Sequence, residues 1–127
     1  MFETCVTFAE ARTVLERTPL ARPTLFTLTG TLSGERLVIE REETAFRTLV
    51  ADRAVANAWR TPRPGWQSRV CGTGTPEANN ATRIAELSIF ANDTARAFAW
   101  ACPPVVNVFT RLTVEMSAAR GTLDAMG

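Results

Sequence analysis

The stretch "LFTLTGTLSGERLVIER", from Leu25 to Arg41, decides the fold class. Its first run, Leu25 to Thr31, is rich in Thr, Phe and Leu, and its second run, Arg36 to Arg41, contains consecutive branched apolar residues. Such runs favour β-strands, and Ser33-Gly34 between them is typical of a turn. The stretch therefore predicts a β-hairpin.

Further elements are predicted on both sides of this hairpin. Apolar residues recur at helical spacing from Phe8 to Arg17, and Thr18-Pro19 ends that pattern, which predicts a short amphipathic helix. Thr44 to Val50 is predicted as a third strand and Arg53 to Trp59 as a fourth.

The second half of the chain begins with a predicted loop, Arg60 to Glu77, which is rich in Pro and Gly. Helices are predicted for Asn80 to Phe90 and Thr94 to Ala101. The clearest alternation of apolar and polar residues runs from Val105 to Ala118 and predicts a long strand, followed by a last strand, Thr122 to Met126. This order favours an α+β fold with an antiparallel sheet and flanking helices, and the length suits a single domain, residues 1–127.

The composition excludes several kinds of active site. The 127 residues contain no His, Lys or Tyr, and fourteen Arg face thirteen acidic residues, giving a net charge of +1. A Ser-His-Asp triad, a His-based zinc site and a Schiff-base lysine cannot be built from this chain alone. Because the charges of both signs are interspersed, a nucleic-acid groove is not expected.

The cysteines and the N-terminus indicate no disulfide framework, metal site or export signal. Cys5, Cys71 and Cys102 are odd in number and far apart, so three separate thiols are expected, with no metal and no cofactor. The first residues have neither a basic start nor an apolar core, and no apolar run reaches the length of a membrane span. No transmembrane segment is therefore expected. The location stays unknown, with the cytoplasm favoured by the lack of a signal peptide in this sequence.

Three blocks, in order, resemble one enzyme family. They are "RTPLARPTLFTLTGTLSGERLVIER" from Arg17, "VANAW" from Val55 and "PPVVNVFTRLTVEMSAA" from Pro103. Together they resemble the C-terminal part of the acid ceramidase and N-acylethanolamine acid amidase family, with its penicillin-acyltransferase-like relatives. The similarity extends over nearly the whole chain and lies in the content and order of the blocks.

The resemblance implies a fold and an activity. Members of that family are N-terminal-nucleophile hydrolases, in which two antiparallel sheets are stacked between helix layers (αββα). They cleave linear carbon–nitrogen amide bonds with a cysteine that becomes the first residue of a subunit. The free α-amine of such a cysteine can act as the base, because its pKa is about 8. The mechanism therefore needs no histidine.

The resemblance also implies site residues. Asn57 in "VANAW" matches the family's catalytic asparagine, whose side-chain N–H groups donate to the oxyanion of the tetrahedral intermediate. Arg83 in "NNATR" is matched to the arginine that organises charge around the nucleophile, and Arg69 is the alternative. Asn107 is assigned a packing or backbone-bonding role. Without the resemblance, Asn57 is predicted to be a turn-forming or capping residue.

The nucleophile itself has no place in this chain, because the family cysteine lies well upstream of the block that begins at Arg17. Cys5 is the alternative nucleophile, yet it directly precedes a predicted helix and lacks the expected Arg and Asp partners. The chain is therefore expected to be inactive alone and to need an upstream chain or subunit that supplies the cysteine, or to self-associate through exposed sheet faces. The other interpretation is a non-catalytic interaction module or a decayed fragment of the same fold. The sequence does not identify the substrate.

Overall fold

The computed structural model describes residues 4–51, 54–66, 74–91 and 96–127. The chain divides into two compact units. The first comprises Met1–Asp52 with Ser117–Gly121, and the second comprises Arg53–Met116 with Thr122–Gly127.

The first unit begins with helix α1, Phe8–Arg17. Its N-terminus is a capping box: the Thr7 hydroxyl accepts from the Glu10 backbone N–H at 3.2 Å, and the Glu10 carboxylate accepts from the Thr7 backbone N–H at 3.1 Å. Backbone N–H groups of Val6 and Thr7 that donate to this carboxylate lower the pKa of Glu10. The capping box satisfies otherwise unpaired N–H groups and explains why the helix starts at Phe8.

Three strands follow α1 and form one antiparallel sheet in the order β1-β2-β3. They are β1 (Thr24–Thr29), β2 (Arg36–Arg41) and β3 (Phe46–Leu49). The central strand pairs Phe26 of β1 with Ile39, and Thr48 of β3 with the same Ile39. The predicted hairpin and third strand are thereby confirmed, with strand ends that differ by one or two residues.

The core of the first unit lies where α1 covers this sheet. Leu15 from the helix packs with Leu28, Leu37 and Ile39 from the strands, and Ile39 is fully buried. Each such side chain contributes about 1.5–3 kcal/mol when it leaves water. The helix pattern read from the sequence therefore corresponds to its buried face.

A buried arginine joins β2 to the end of α1. Arg41 is 0% exposed, and its guanidinium donates to the backbone carbonyl of Glu16 at 2.5 Å and to that of Thr18. It also donates to the Ala45 carbonyl at a longer 3.4 Å. The Glu16 and Thr18 carbonyls lie at the end of α1, where the negative end of the helix dipole stabilises a cation. Among the described residues, no carboxylate forms an ion pair with Arg41.

The second unit contains helix α2, Pro76–Phe90, the strand β5 (Thr122–Met126) and all but the last residue of the strand β4 (Thr113–Ser117). The two strands pair with each other. Helix α2 starts four residues earlier than predicted. The Thr75 hydroxyl caps it by accepting from the Ala78 N–H at 3.2 Å, and Pro76 occupies the first turn. Proline suits that position because its missing N–H would have no helical acceptor.

A carboxylate holds an irregular turn in the second unit. Glu115 on β4 accepts from the Phe98 backbone N–H at 2.6 Å and from the Trp100 indole N–H at 2.7 Å. Phe98 has a positive φ of 55°, which is unfavourable for a bulky side chain. The two hydrogen bonds offset that strain and fix the 98–100 turn.

Several predicted elements of the second unit are wrong. Residues 54–59 form turns and no strand, and the described part of the predicted helix from Thr94, residues 96–101, is not helical. Of the predicted strand Val105 to Ala118, only Thr113–Ser117 is extended. The Asn107 side chain accepts from the Phe109 N–H at 2.9 Å, and this local turn replaces a strand ladder.

The α+β class predicted from the sequence is confirmed: the described residues contain helices and antiparallel sheets. Neither of these helices combines the length and the apolar character that crossing a membrane requires.

In the C-terminal segment, large apolar side chains face solvent with exposed fractions of 61–81%: Val108, Phe109, Leu112, Met116 and Leu123.

Candidate functional site

Asn57 lies at the tip of a three-residue turn. The Ala58 N–H donates to the Ala56 carbonyl at 2.7 Å, and Asn57 is the residue between them. Ala56 is buried, whereas Asn57 is exposed. The turn interpretation of Asn57 is thus correct for its backbone, and the residue is exposed to solvent.

The backbone of Asn57 is fixed by helix α2. Asn80, which is only 2% exposed, donates from its side-chain Nδ2 to the Asn57 carbonyl at 3.3 Å. This contact uses the Asn57 backbone and leaves its side chain uninvolved. The Asn57 side-chain amide has no hydrogen-bond partner among the described residues.

A second turn follows within a few residues. Trp66 N–H donates to the Arg63 carbonyl at 3.1 Å, Pro64 and Gly65 lie between them, and Gly65 has φ +78°. Proline at the second position and a positive-φ glycine at the third define a type II turn. The sequence "RPGW" therefore determines this backbone and returns Trp66 toward Trp59.

The two turns bring aromatic and charged groups around one pocket. The Trp59 and Trp66 rings meet edge to face, with centroids 5.2 Å apart and planes at 74°. The Arg63 guanidinium carbon lies 5.8 Å from the centre of the Trp59 ring, which is within the range of a cation–π contact. The pocket measures about 190 Å³, and its lining includes Asn57 and Glu77.

The pocket is built from a short part of the chain. Apart from Glu77 in the first turn of α2, its lining residues lie between Asn57 and Trp66. It combines two indole rings, one cation, one carboxylate and one primary amide. Such a set can bind a small polar molecule with a flat or apolar part.

Arg83 does not line this pocket. It lies on α2 close to Asn80 in sequence and is partly buried. Its Nε is buried without a hydrogen-bond partner. Arg69, the alternative, and Cys71 lie outside the described residues. The choice between the two arginines therefore stays a prediction.

Cys5 lies in the first unit, immediately before the capping box of α1. It is partly buried, carries a free thiol, and borders a shallow depression beside Ala9 and Thr13. Asn57 belongs to the second unit.

Within the described ranges, no group of His, Cys, Asp or Glu side chains is arranged to hold a metal ion.

Comparison with protein-family models, with curated proteins and with solved structures finds no match for this chain. The site is therefore interpreted from its own chemistry.

Sequence reasoning missed the pair of tryptophans and Arg63. Their signal was present in the chain, because Pro-Gly between Arg63 and Trp66 predicts a type II turn whose ends are close together. It was concealed within the long segment assigned as one loop. The Asn80 contact with Asn57 had no such signal, because it joins residues far apart in sequence.

Proposed function

We propose that this chain provides the amide-binding part of a cysteine amidase with the N-terminal-nucleophile fold. In this proposal Asn57 donates to the carbonyl oxygen of an N-acyl amide and then to the oxyanion that forms from it. The attacking thiol comes from another chain or subunit, and the two-sheet αββα sandwich is completed in that assembly. The chain alone is inactive.

One observation carries the proposal: an exposed primary amide, without an intramolecular partner among the described residues, borders a pocket walled by indole rings. An amide that only shaped a turn would gain by bonding its own backbone. Here the turn is closed by Ala58 and Ala56, and the Asn57 carbonyl is held by Asn80. The side chain is thus positioned and still able to donate.

The proposed chemistry follows from this position. Attack of a thiolate on the amide carbonyl moves negative charge onto its oxygen, which the Asn57 N–H groups stabilise. The tetrahedral intermediate then expels the amine, which takes a proton from the base, and leaves a thioester that water hydrolyses. Arg83, with its unsatisfied Nε, is retained in the proposal as a charge that would orient acidic groups of the added chain.

The test is to co-express this chain with the polypeptide encoded directly upstream and to measure hydrolysis of N-acyl amides. Asn57→Ala should lower kcat by about 10²- to 10³-fold, the usual effect of losing one oxyanion donor. Thr61→Ala, an exposed residue outside the pocket lining, should leave kcat within twofold. Since Asn80 binds the Asn57 backbone, Asn57→Ala should not unfold the chain. An Asn57→Ala complex with unchanged kcat would refute the proposal.

The second candidate is a non-catalytic interaction module, and the exposed apolar side chains of the C-terminal segment favour it. An exposed patch of this kind marks a binding surface more often than an isolated exposed residue does. The same experiment separates the two functions. A stable complex that hydrolyses no N-acyl amide, with or without Asn57, would establish the module and exclude the amidase.

A further inference from the structure

The pocket between Trp59 and Trp66 is lined by a carboxylate that has no partner among the described residues. This carboxylate belongs to Glu77, which is exposed and lies in the first turn of α2. Within the described part of the chain it makes no hydrogen bond or ion pair. Arg63, the other charged group of the lining, has interactions besides its approach to Trp59. The carboxylate is therefore the charged group of the lining that is still able to accept from a ligand.

The indole rings give Glu77 a setting that a glutamate in a first helical turn does not usually have. Such a glutamate is favoured by the helix dipole alone, but here two tryptophans line the same pocket. Indole attracts cations more strongly than the other aromatic side chains do. The Arg63 guanidinium carbon, 5.8 Å from the centre of the Trp59 ring, shows that a cation comes within range of that ring. A carboxylate beside two indoles favours a cationic ligand.

The volume and the ring arrangement limit the shape of this ligand. The pocket measures about 190 Å³, which corresponds to roughly six water molecules at about 30 Å³ each. Because the planes of Trp59 and Trp66 meet at 74°, a flat ligand cannot lie parallel to both rings. A compact charged group on a short carbon chain meets both limits.

We infer that this pocket binds a small organic cation, an ammonium group on a short carbon chain. Glu77 supplies the counter-charge, and Trp59 and Trp66 contact the ammonium and its carbon atoms. The cation site goes beyond the proposed function, because it does not require Asn57 to donate to an oxyanion. If the proposed function also holds, the site selects amides whose leaving amine carries a second, protonated nitrogen.

Arg63 opposes the cation, since it lines the same pocket with a positive charge. The two charged residues therefore have opposite effects on binding. Glu77→Gln removes the attraction and should weaken the cation, whereas Arg63→Gln removes a repulsion and should tighten it. Neither substitution should change the affinity of a neutral ligand of the same size by more than about twofold, because the electrostatic term acts on charge.

The test compares n-butylammonium with 1-butanol, which have the same number of non-hydrogen atoms and differ in charge. Binding to the purified chain near neutral pH is followed by tryptophan fluorescence and by calorimetry. The ammonium should bind about tenfold more tightly at low salt, and the difference should shrink in high salt. Glu77→Gln should reduce this preference to about threefold or less, and Trp66→Leu should weaken n-butylammonium more than 1-butanol.

A matched control is Glu43→Gln, the same substitution at an exposed glutamate outside the pocket lining. It should preserve the preference for the ammonium, and circular dichroism verifies that each variant folds. If the wild type binds the two ligands equally or binds neither, the inference is wrong. A preference that Glu77→Gln leaves at its wild-type value would also overturn it.

Asn57→Ala separates the cation site from the proposed function. It should leave the preference for n-butylammonium intact, because the amide carries no charge. If Glu77→Gln removes the preference while Asn57→Ala leaves kcat of the assembled amidase unchanged, the cation site stands and the proposed function fails. If Asn57→Ala lowers kcat while the wild type shows no preference for the ammonium, the proposed function stands and the cation site fails.

Discussion

Replacing Arg41 by Leu should destabilise the first unit more than any surface substitution. Arg41 is 0% exposed and donates to the carbonyls of Glu16, Thr18 and Ala45. Leu is a smaller, apolar side chain that donates no hydrogen bond. The substitution therefore leaves the backbone carbonyls without a hydrogen-bond donor. Because they belong to the main chain, these polar groups remain in place in the variant.

The magnitude follows from the two short contacts. A hydrogen bond that involves a charged group contributes about 1.5–3 kcal/mol, and the 3.4 Å contact to Ala45 adds little. Relief of the cost of burying the guanidinium offsets part of this sum. A loss of about 3–4 kcal/mol from the free energy of unfolding is expected, which is a large share of the 5–15 kcal/mol typical of a domain.

The assay is urea unfolding followed by far-ultraviolet circular dichroism. Arg41→Leu should lower the midpoint strongly, and Arg41→Lys should fall between it and the wild type, because an ammonium cannot donate as a fork to separate carbonyls. Arg47→Gln, on an exposed residue of β3, should shift the free energy by no more than about 0.5 kcal/mol. If Arg41→Leu unfolds within about 1 kcal/mol of the wild type, the capping role assigned to Arg41 is wrong.

Two other predictions concern carboxylates. Glu115→Ala should cost about 1–3 kcal/mol, because the Trp100 indole N–H and the backbone N–H at its turn lose their shared acceptor, and a changed Trp emission should accompany the loss; unaltered emission and stability would contradict it. Burial alone would raise the pKa of Glu16, but hydrogen bonds from Thr48 and Arg12 and the Arg12 charge outweigh it and lower that pKa. Its stabilising contribution is therefore complete above the unfolded pKa near 4.5 and is lost as pH falls through the lower folded value, so Glu16→Gln should flatten the acid limb of a stability–pH curve. If Glu16→Gln leaves the acid limb of the curve unchanged, the lowered pKa of Glu16 is not what destabilises the wild type in acid.

The sequence predicted the first unit well because its signals are local. The helix Phe8–Arg17 has its start coded by Thr7 and Glu10, and the β1–β2 hairpin has strand-forming runs on both sides of a turn. In the second unit the same rules failed. The predicted strand around Asn57 contains several alanines, which have weak strand preference, and a turn satisfies part of that backbone locally.

The candidate site was predicted in part. Asn57 was singled out through the resemblance, and the structure places it at a pocket, although its family role is a proposal. Arg83, matched to the arginine that organises charge around the nucleophile, is not in the lining of this pocket, and its role stays a prediction. The contact from Asn80 depends on how α2 packs, and no pattern of neighbouring residues encodes such a contact.

The two turns from Ala56 to Trp66 have a consequence for how this pocket can change. Because all lining residues except Glu77 lie between Asn57 and Trp66, forming the pocket orders only a short segment of chain, for which the entropy cost is small. Three substitutions, at positions 57, 63 and 66, would exchange its donor, its charge and one ring without altering any helix or strand. The recognition chemistry of this chain can therefore diverge faster than its fold, and the same short segment could be studied as a cyclic peptide.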